Sequence, residues 1–353
     1  MEKRKSQVDK YRNQKRRKHI LTAILLALLF VLAFASLLIG RYGVSAYDCV
    51  RIIFGFNVAG VSNVQTIRDI LVNIRIPRTI AAILIGGSLS IAGLTYQCVF
   101  RNVLVSQDVL GVSSGACVGA ALAIVMNLSA YQIQLFAFAT GLLSVFFVFV
   151  LSRVFKSEST LSLVLSGILI SGLMSSMLGY IKFTANPETY LQNIEYWIMG
   201  DISSVNLAQI GQVLIPTVIC LFLIILNRWK LNFFCYSDHE ASNLGFPIRL
   251  YRGLFLMCAT ILVSLSVSIS GAIGWIGLVI PQLVRTIIGH DNNDTAGLSF
   301  ILGANFLLLM DIVNRLISSA ELPASILTGM VGTPIFVICL LLKRRGEKNH
   351  AGH

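Results

Sequence analysis

Two arginines at the start of an apolar run are the first residues whose type and spacing suggest a function. Arg75 and Arg78 flank Pro77 in NIRIPRTIAAILIGG, residues 73–87, where the chain becomes free of charge. Fixed positive charges at the end of a membrane-spanning helix either lie among lipid headgroups or bind an acidic partner outside the membrane. These residues alone leave both interpretations open, and the choice depends on the topology.

One acid lies well inside an apolar stretch. Asp311 in LLLMDIVNRL is followed by Asn314 and Arg315 within a helical turn. An ion pair between Asp311 and Arg315, four residues apart, is one interpretation. A role in transport is the other, because ion-coupled carriers generally bury ionisable groups in the membrane. A single acid is thin support for a proton relay.

The sequence has no recognisable catalytic, nucleotide-binding or metal-binding pattern. Its five histidines lie in tails or loops, and its seven cysteines form no C-x-x-C pair. No G-x-x-x-x-G-K-[ST] phosphate loop is present. We therefore expect no catalytic residue, cofactor or metal in this chain, and any ATP hydrolysis must come from a partner subunit.

A polar segment between two apolar stretches predicts a short helix. Residues 228–252 read RWKLNFFCYSDHEASNLGFPIRLYR, in which Ser237 and Glu240 form an S-x-x-E capping box and Gly245 supplies a stop signal. The predicted helix, at about 237–245, has few apolar residues to bury. It is either an ordinary connector or a helix that lies in the groove of a partner.

The elements that position these residues are predicted to be membrane spans. The chain has 353 residues, of which 56% are hydrophobic and 12% charged, whereas soluble domains carry about 25% charged residues. Stretches without charge recur along the chain, each suited to the ~20 residues that cross a bilayer. We predict ten spans, at residues 20–40, 79–100, 109–126, 132–152, 160–181, 205–227, 253–270, 272–284, 296–314 and 324–342.

The charge distribution predicts the orientation. Nine of the 28 Lys and Arg residues lie in the first 18 positions, beside an apolar span, which is typical of cytoplasmic retention rather than of nucleic-acid binding. We expect cytoplasmic tails at 1–19 and 343–353 around a single transmembrane domain at 20–342. The even number of spans depends on a split at SISGAIGW, residues 268–275, where paired glycines let the chain turn.

This topology puts Arg75, Arg78 and Arg315 outside the membrane. The same side receives YLQNIEYWIMGD, residues 190–201, whose apolar residues recur at helical spacing and predict a helix at the membrane interface. Many spans are dense in small residues, as in GVSSGACVGAALA at 111–123. Such density is typical of closely packed helices in lipid, and a lining for a bulky substrate is the alternative.

Four ordered blocks lie within residues 70–342: RIPRTIAAILIGGSLSIAGLTYQCVFRN, DVLGVSSGACVGA, SGAIGWIGLVIPQLVR and AELPASILTGMVGTPIF. They resemble the FecCD-type permeases of ABC importers for iron-siderophores, haem and cobalamin. The resemblance implies an all-α polytopic membrane protein of about ten transmembrane helices, with the type II ABC importer permease architecture. It implies a permease subunit in a bacterial cell membrane. The implied partners are a second permease subunit, identical or related, two ABC ATPase subunits, an extracytoplasmic binding protein and the lipid bilayer, and not nucleic acid.

The resemblance also assigns roles to residues. In such permeases, matching arginines receive acidic residues of the binding protein, and here these are Arg75, Arg78 and Arg315. The short polar helix would couple to the ATPase through Ser237, Asp238, Glu240, Asn243, Leu244 and Gly245. A cytoplasmic gate would comprise Asn102, Val103, Leu104, Ser159 and Thr160. For these gate positions, ordinary loop turns and a helix cap are the alternative.

Three functional classes follow from these observations. The leading one imports an iron chelate, ferric siderophore first, with haem or cobalamin as alternative cargo of the same machinery. A proton-coupled secondary carrier would need no ATPase and would direct attention to Asp311. An intramembrane enzyme is disfavoured because the spans offer no metal-ligand cluster. The chain departs from the family pattern at Val103, where proline is common, and at Gln282, where histidine is common.

Overall fold

The structure is a computed structural model that describes residues 2–40, 42–53, 64–155, 160–317 and 322–351. Side chains are described between residues 16 and 342 of those ranges. Helices joined by turns and short extended connections account for the described residues, and no strand occurs among them. The predicted all-α fold is confirmed.

The described residues contain fourteen α-helices and three shorter helical segments of other types. The α-helices are α1 (Glu2–Leu38), α2 (Ala46–Ile53), α3 (Val64–Ile70), α4 (Ile76–Val99), α5 (Val112–Val125), α6 (Ala130–Val154), α7 (Thr160–Thr184), α8 (Gln192–Ile198), α9 (Leu207–Leu226), α10 (Asp238–Asn243), α11 (Ile248–Ser270), α12 (Ile276–Ile288), α13 (Asn292–Ile317) and α14 (Ala324–Ala351). The others are π-helical turns at Leu71–Arg75 and Pro187–Leu191 and a 3₁₀ helix at Arg228–Cys235.

Ten helical segments correspond to the ten predicted spans. Eight are long and apolar enough to cross a membrane, and α5 and α12 are shorter apolar helices. The second span starts earlier than expected, because α3, a π-helical turn and α4 run without a break from Val64 to Val99. The turn ends two residues before Pro77, where the missing amide would interrupt regular α-helical bonding.

The predicted split after residue 270 is confirmed. Helix α11 ends at Ser270, the chain continues through Gly271 at φ +67°, and α12 begins at Ile276. A Cβ atom at Gly271 would lie 2.1 Å from the carbonyl oxygen of Trp197, so both the positive φ and the close approach require glycine. The break therefore packs against the C-terminal end of α8.

At the break, backbone amide and carbonyl groups lack partners within a helix and need bonds from a side chain. Gln107, which is buried in the irregular segment before α5, supplies those bonds. Its Nε2 donates to the carbonyl of Ile273 at 2.7 Å, and its Oε1 accepts from the amide of Gly277 at 2.9 Å. Irregular backbone is tolerated in a membrane where protein satisfies it, and Gln107 thereby ties the segment before α5 to the start of α12.

Helix α4 forms the centre of the bundle and packs against α11, α12 and α13. Its contacts are close because glycines meet backbone. A Cβ at Gly86 would lie 2.4 Å from the carbonyl oxygen of Gly303, and a Cβ at Gly93 would lie 1.9 Å from that of Gly277. These contacts show the close helix packing that the small residues predict.

The outermost helices leave apolar faces uncovered. Helices α1, α7, α9 and α14 carry many exposed large apolar side chains, including Phe30, Ile168, Ile215 and Met330. Such faces fit lipid or a second membrane subunit. The predicted tails continue α1 and α14, which extend to Glu2 and Ala351, and the division into tails and one domain stays a prediction.

Candidate functional site

The predicted docking arginines meet at one end of the bundle, which we call the arginine end. Asp311 lies between two of them: Nε of Arg78 is 2.7 Å from its Oδ1, and Arg315 bonds its Oδ2. The Asp311 side chain is 0% exposed. The predicted pair of Asp311 and Arg315 is confirmed, and Arg78 is an additional partner.

The other contacts of these arginines hold the end of α1. Arg75 donates to the carbonyls of Leu37, Leu38 and Tyr42 at 2.5–3.0 Å. Arg315 donates to the carbonyls of Ser36 and Ile39 at 2.8 and 3.1 Å. The last carbonyls of a helix have no partner inside the helix and carry partial negative charge, so arginine is well suited to them. The three arginines thus join α1, α4 and α13.

The burial of the three arginines affects the prediction that they bind a docking partner. Arg75 and Arg78 are 4% and 3% exposed, and the side chain of Arg315 is 7% exposed. The structure brings the three residues together, but it shows their side chains inside the chain rather than on its surface. Arg68, on the neighbouring helix α3, is exposed. Docking of a binding protein at these arginines stays a prediction.

The predicted polar helix forms as the sequence indicates. The Ser237 hydroxyl accepts from the Glu240 amide at 3.2 Å, and a Glu240 carboxylate oxygen accepts from the Ser237 amide at 2.8 Å. Gly245 follows α10 at φ +75°. Of the residues from Ser237 to Gly245, all but Ala241 are exposed, and Leu244 is 63% exposed. Such a helix presents polar groups and one large apolar side chain to its surroundings.

The carboxylate of Asp238 bonds α10 to two arginines in other segments. Asp238 lies 2.7 Å from Nη2 of Arg101, and both of its oxygens lie 2.7 Å from Nη2 of Arg252. Partial burial alone would raise the pKa of Asp238, but hydrogen bonds and charge from Arg252, and then Arg101, outweigh it and hold the pKa below its usual value. The carboxylate is therefore charged at neutral pH, and its contacts persist there.

Arg101 connects this helix to the predicted gate. It adopts φ +52°, which is unusual for arginine, and its Nε donates to the carbonyl of Phe234 at 2.6 Å. The next residues form a tight turn in which the Leu104 amide donates to Oδ1 of Asn102 at 2.9 Å. One side chain therefore links α10 with the gate turn, residues 102–104.

Four of the five predicted gate residues lie in the described part of the chain. Asn102 and Leu104 are exposed, and Val103 is half-buried. Thr160 is the first residue of α7 and is half-buried, whereas Ser159 lies outside the described residues. A gate formed by these positions stays a prediction.

Sequence reasoning missed several residues that connect distant segments. Arg252 bonds Asp238 of the preceding helix, and Arg101 and Gln107 bond groups 137 and 166 residues away in the chain. Arg285 does the same, with its Nη1 2.5 Å from Oε1 of Gln97. A polar residue inside or directly beside an apolar run is the only local signal that could have identified them.

Comparisons with known proteins agree with this architecture. The FecCD transport family matches residues 28–343. The molybdate import system permease protein MolB of Haemophilus influenzae is 33% identical over 323 residues, covering 91% of this chain and 95% of that protein. The probable iron chelatin transport system permease protein of Helicobacter pylori is 39% identical over 277 residues, covering 78% and 83%.

Two further comparisons broaden the range of related transporters. The vitamin B12 import system permease protein BtuC of Klebsiella pneumoniae is 33% identical over 278 residues, covering 78% of this chain and 82% of that protein. A solved transporter of the metal-chelate type, in an inward-facing conformation, superposes with a TM-score of 0.82 at 31% identity. It covers 92% of this chain and 99% of the matched chain.

Proposed function

Because the chain belongs to the FecCD transport family and is the permease component of an ABC importer, we propose that its cargo is an iron chelate, a ferric siderophore in the first instance. The 39% identity to the iron chelatin permease supports this cargo. The similarity to a transporter of the metal-chelate type supports it as well. The chain is a transporter component rather than a catalyst, and ATPase subunits supply the energy in this proposal.

The mechanism we propose depends on the ion pair that joins α10 to the residue before the gate turn. Helix α10 is exposed, and Asp238 joins it to Arg101, the residue before the gate turn. An ATPase that holds α10 in a groove would displace Asp238 when it closes around ATP. The ion pair would pass that displacement to residues 102–104 and change access to the pathway. The exposure of α10 and the ion pairs of Asp238 with Arg101 and Arg252 support this role.

At the other end, we propose that an extracytoplasmic binding protein delivers the cargo. In this cluster Arg75, Arg78 and Arg315 outnumber the one acid, Asp311, and Arg68 is exposed on the neighbouring helix α3. Positive charge steers an acidic partner and fixes its orientation, even where individual guanidinium groups are buried. We expect the exposed positions to make the direct contacts and the buried ones to hold the docking surface in shape.

The assembly that follows contains two permease chains and two ATPases in a cell membrane. The multiple apolar helices make the chain a multi-pass membrane protein. Its uncovered apolar faces leave room for a second permease, identical or related, beside lipid. Cytoplasmic termini are part of the proposal, because the basic N-terminal segment favours that side.

Molybdate is a second candidate cargo, and the length of one sequence match favours it. The molybdate permease matches 91% of this chain, a longer match than the iron chelatin permease gives. The cobalamin permease shares the same level of identity as the molybdate permease. A proton-coupled carrier is not favoured, since both oxygens of the buried Asp311 are bonded by arginines, which indicates a structural ion cluster.

Uptake measurements test the proposal. Proteoliposomes that contain the permease, its ATPase and its binding protein receive labelled ferric siderophore with haem, cobalamin or molybdate as competitor. We expect ATP-dependent uptake that none of the three reduces. ATP-dependent uptake of molybdate or cobalamin without siderophore uptake would refute the iron cargo. Uptake without ATP that collapses with the proton gradient would refute the importer mechanism.

A further inference from the structure

A cavity of about 290 Å³ lies at the end of the bundle that contains α10. It is bounded by the C-terminal end of α4, the 3₁₀ helix after α9 and the turn between α12 and α13. Its lining is Gln97, Cys98, Arg101, Asn102, Val103, Phe234, Cys235, Arg285, His290 and Asn292. The lining includes two arginines, and no acidic side chain is among these residues.

Arg285 is the unusual member of this lining. It is 7% exposed, yet its side chain bonds only uncharged groups: Nη1 donates to Oε1 of Gln97 at 2.5 Å, and Nη2 approaches Sγ of Cys98 at 3.5 Å. A buried guanidinium is unfavourable unless an anion neutralises it. Among the described residues, no carboxylate forms an ion pair with it.

Two acidic residues on adjoining segments, Asp291 and Asp238, bond other groups. Oδ1 of Asp291 accepts from Nδ2 of Asn232 at 2.8 Å and from the Asn293 amide at 3.0 Å. Asp238 is held between Arg101 and Arg252. The described chain therefore supplies the cavity with positive charge and directs its own carboxylates to other partners.

We propose that this cavity binds a small oxyanion of the phosphate, sulfate or molybdate class, with Arg285 as the principal charge. A planar guanidinium donates to two oxygens of such an anion at once. The side-chain amides of Asn102 and Asn292, which also line the cavity, are groups that can donate to the remaining oxygens. Asn102 and Val103 belong both to this lining and to the gate turn, so the anion lies beside the predicted gate. This binding does not depend on which cargo is imported.

Equilibrium binding tests the site. The permease, assembled with its ATPase subunits in nanodiscs and free of nucleotide, is titrated with radiolabelled inorganic phosphate, sulfate and molybdate. We expect saturable binding of at least one anion, with one site per permease chain. Arg285→Gln should weaken it by about tenfold or more, and Arg285→Lys by less, because the charge remains. Arg249→Gln removes an exposed arginine outside this lining and should leave binding unchanged.

The outcomes separate the possible sources of the anion. Selective molybdate binding together with ATP-driven molybdate uptake identifies the anion as cargo, and selective phosphate or sulfate binding without uptake identifies it as an anion from solution. Both outcomes support the site. Failure of all three anions to bind saturably to the wild-type complex overturns it, as does equal binding by wild type and Arg285→Gln.

A second measurement leaves Arg285 intact, in case its replacement prevents folding. Cys235 is exposed and lines the same cavity. An anionic thiol reagent should modify Cys235 quickly, and a saturating oxyanion should suppress that reaction, while Cys235→Ser identifies the labelled residue. Modification that proceeds at the same rate with and without all three anions overturns the proposal.

Discussion

Arg101 is the residue whose replacement tests the proposed coupling most directly. It bonds Asp238 of α10 through Nη2 at 2.7 Å and the Phe234 carbonyl through Nε at 2.6 Å, and it directly precedes the gate turn. Arg101→Gln removes the charge and shortens the side chain. Helix α10 keeps its capping box and its bond to Arg252, since neither involves Arg101.

The expected cost to stability is small. The side chains of Arg101 and Asp238 are 35% and 48% exposed, and pairs this exposed contribute about 0.2–1 kcal/mol. Arg252 is 9% exposed and bonds both oxygens of Asp238, so that contact stabilises more, about 1.5–3 kcal/mol. Arg101→Gln should therefore leave the fold and the attachment of α10 intact while it breaks the connection to the gate turn.

The assay is the ratio of cargo imported to ATP hydrolysed in proteoliposomes that contain the full transporter. We expect Arg101→Gln to retain assembly and ATP hydrolysis but to lower this ratio severalfold, because closure of the ATPases no longer moves residues 102–104. Arg228→Gln is the matched control, since Arg228 bonds Asn293 and not α10. An unchanged ratio in Arg101→Gln would refute coupling through this ion pair, and lost assembly would show that the residue is structural instead.

Three further predictions concern the fold and the coupling helix. Arg78→Gln leaves the buried carboxylate of Asp311 with one fewer guanidinium and should destabilise the permease by about 3–5 kcal/mol, measured as a lower thermal midpoint. Arg68→Gln, at an exposed site, should change the midpoint little. Equal midpoints for the two variants would contradict the buried cluster. Gly93→Ala should also destabilise the permease, since the new Cβ would lie 1.9 Å from backbone. At Gly253 a Cβ would meet nothing within 4 Å, so Gly253→Ala should be neutral or slightly stabilising. Similar shifts of the thermal midpoint in the two variants would contradict the close packing. Because the pKa of Asp238 is lowered, its stabilising contribution is present above the ordinary carboxyl pKa of about 3.9 and is lost as the pH falls through the lower folded value. Protease cleavage at α10 should thus accelerate only in that acidic range, and acceleration near neutral pH would contradict the assignment.

The burial of Arg75 and Arg78 changes how docking has to be tested. Charge reversal at either position would put a carboxylate beside carbonyl oxygens or beside Asp311, and lost uptake would then report misfolding as well as lost docking. Arg68→Glu avoids this ambiguity, because Arg68 is exposed at the same end. A reduced affinity for the binding protein with an unchanged thermal midpoint would support docking at this surface.

Local patterns in the sequence predict local structure well in this chain. The ten spans, the break at Gly271 and the capping box of Ser237 follow from residues close together in sequence, as does the pair of Asp311 and Arg315. Hydrophobic length, a glycine at positive φ and a four-residue helical spacing are each properties of one segment. Such signals need no knowledge of which helices are neighbours.

The contacts that give these elements a function join distant segments. Arg78 reaches Asp311, Arg101 reaches Asp238 and Gln107 reaches Ile273, across separations of 233, 137 and 166 residues. No periodicity in one sequence specifies such pairs, because they depend on the packing of whole helices. The prediction of docking arginines had the same weakness: the predicted topology put Arg75, Arg78 and Arg315 on one side but could not show that Arg75 would bond the end of α1.

Helix α4 connects the two ends of the molecule. At the arginine end, Arg78 bonds α13, and along its length Gly86 and Gly93 meet the backbones of α13 and α12. At the other end Gln97 bonds the Gly277 carbonyl of α12 at 3.2 Å. Helices held this closely cannot slide past one another without losing buried bonds. In the proposed mechanism, α4, α12 and α13 therefore form a closely packed unit, and α10, attached through Asp238, lies outside it.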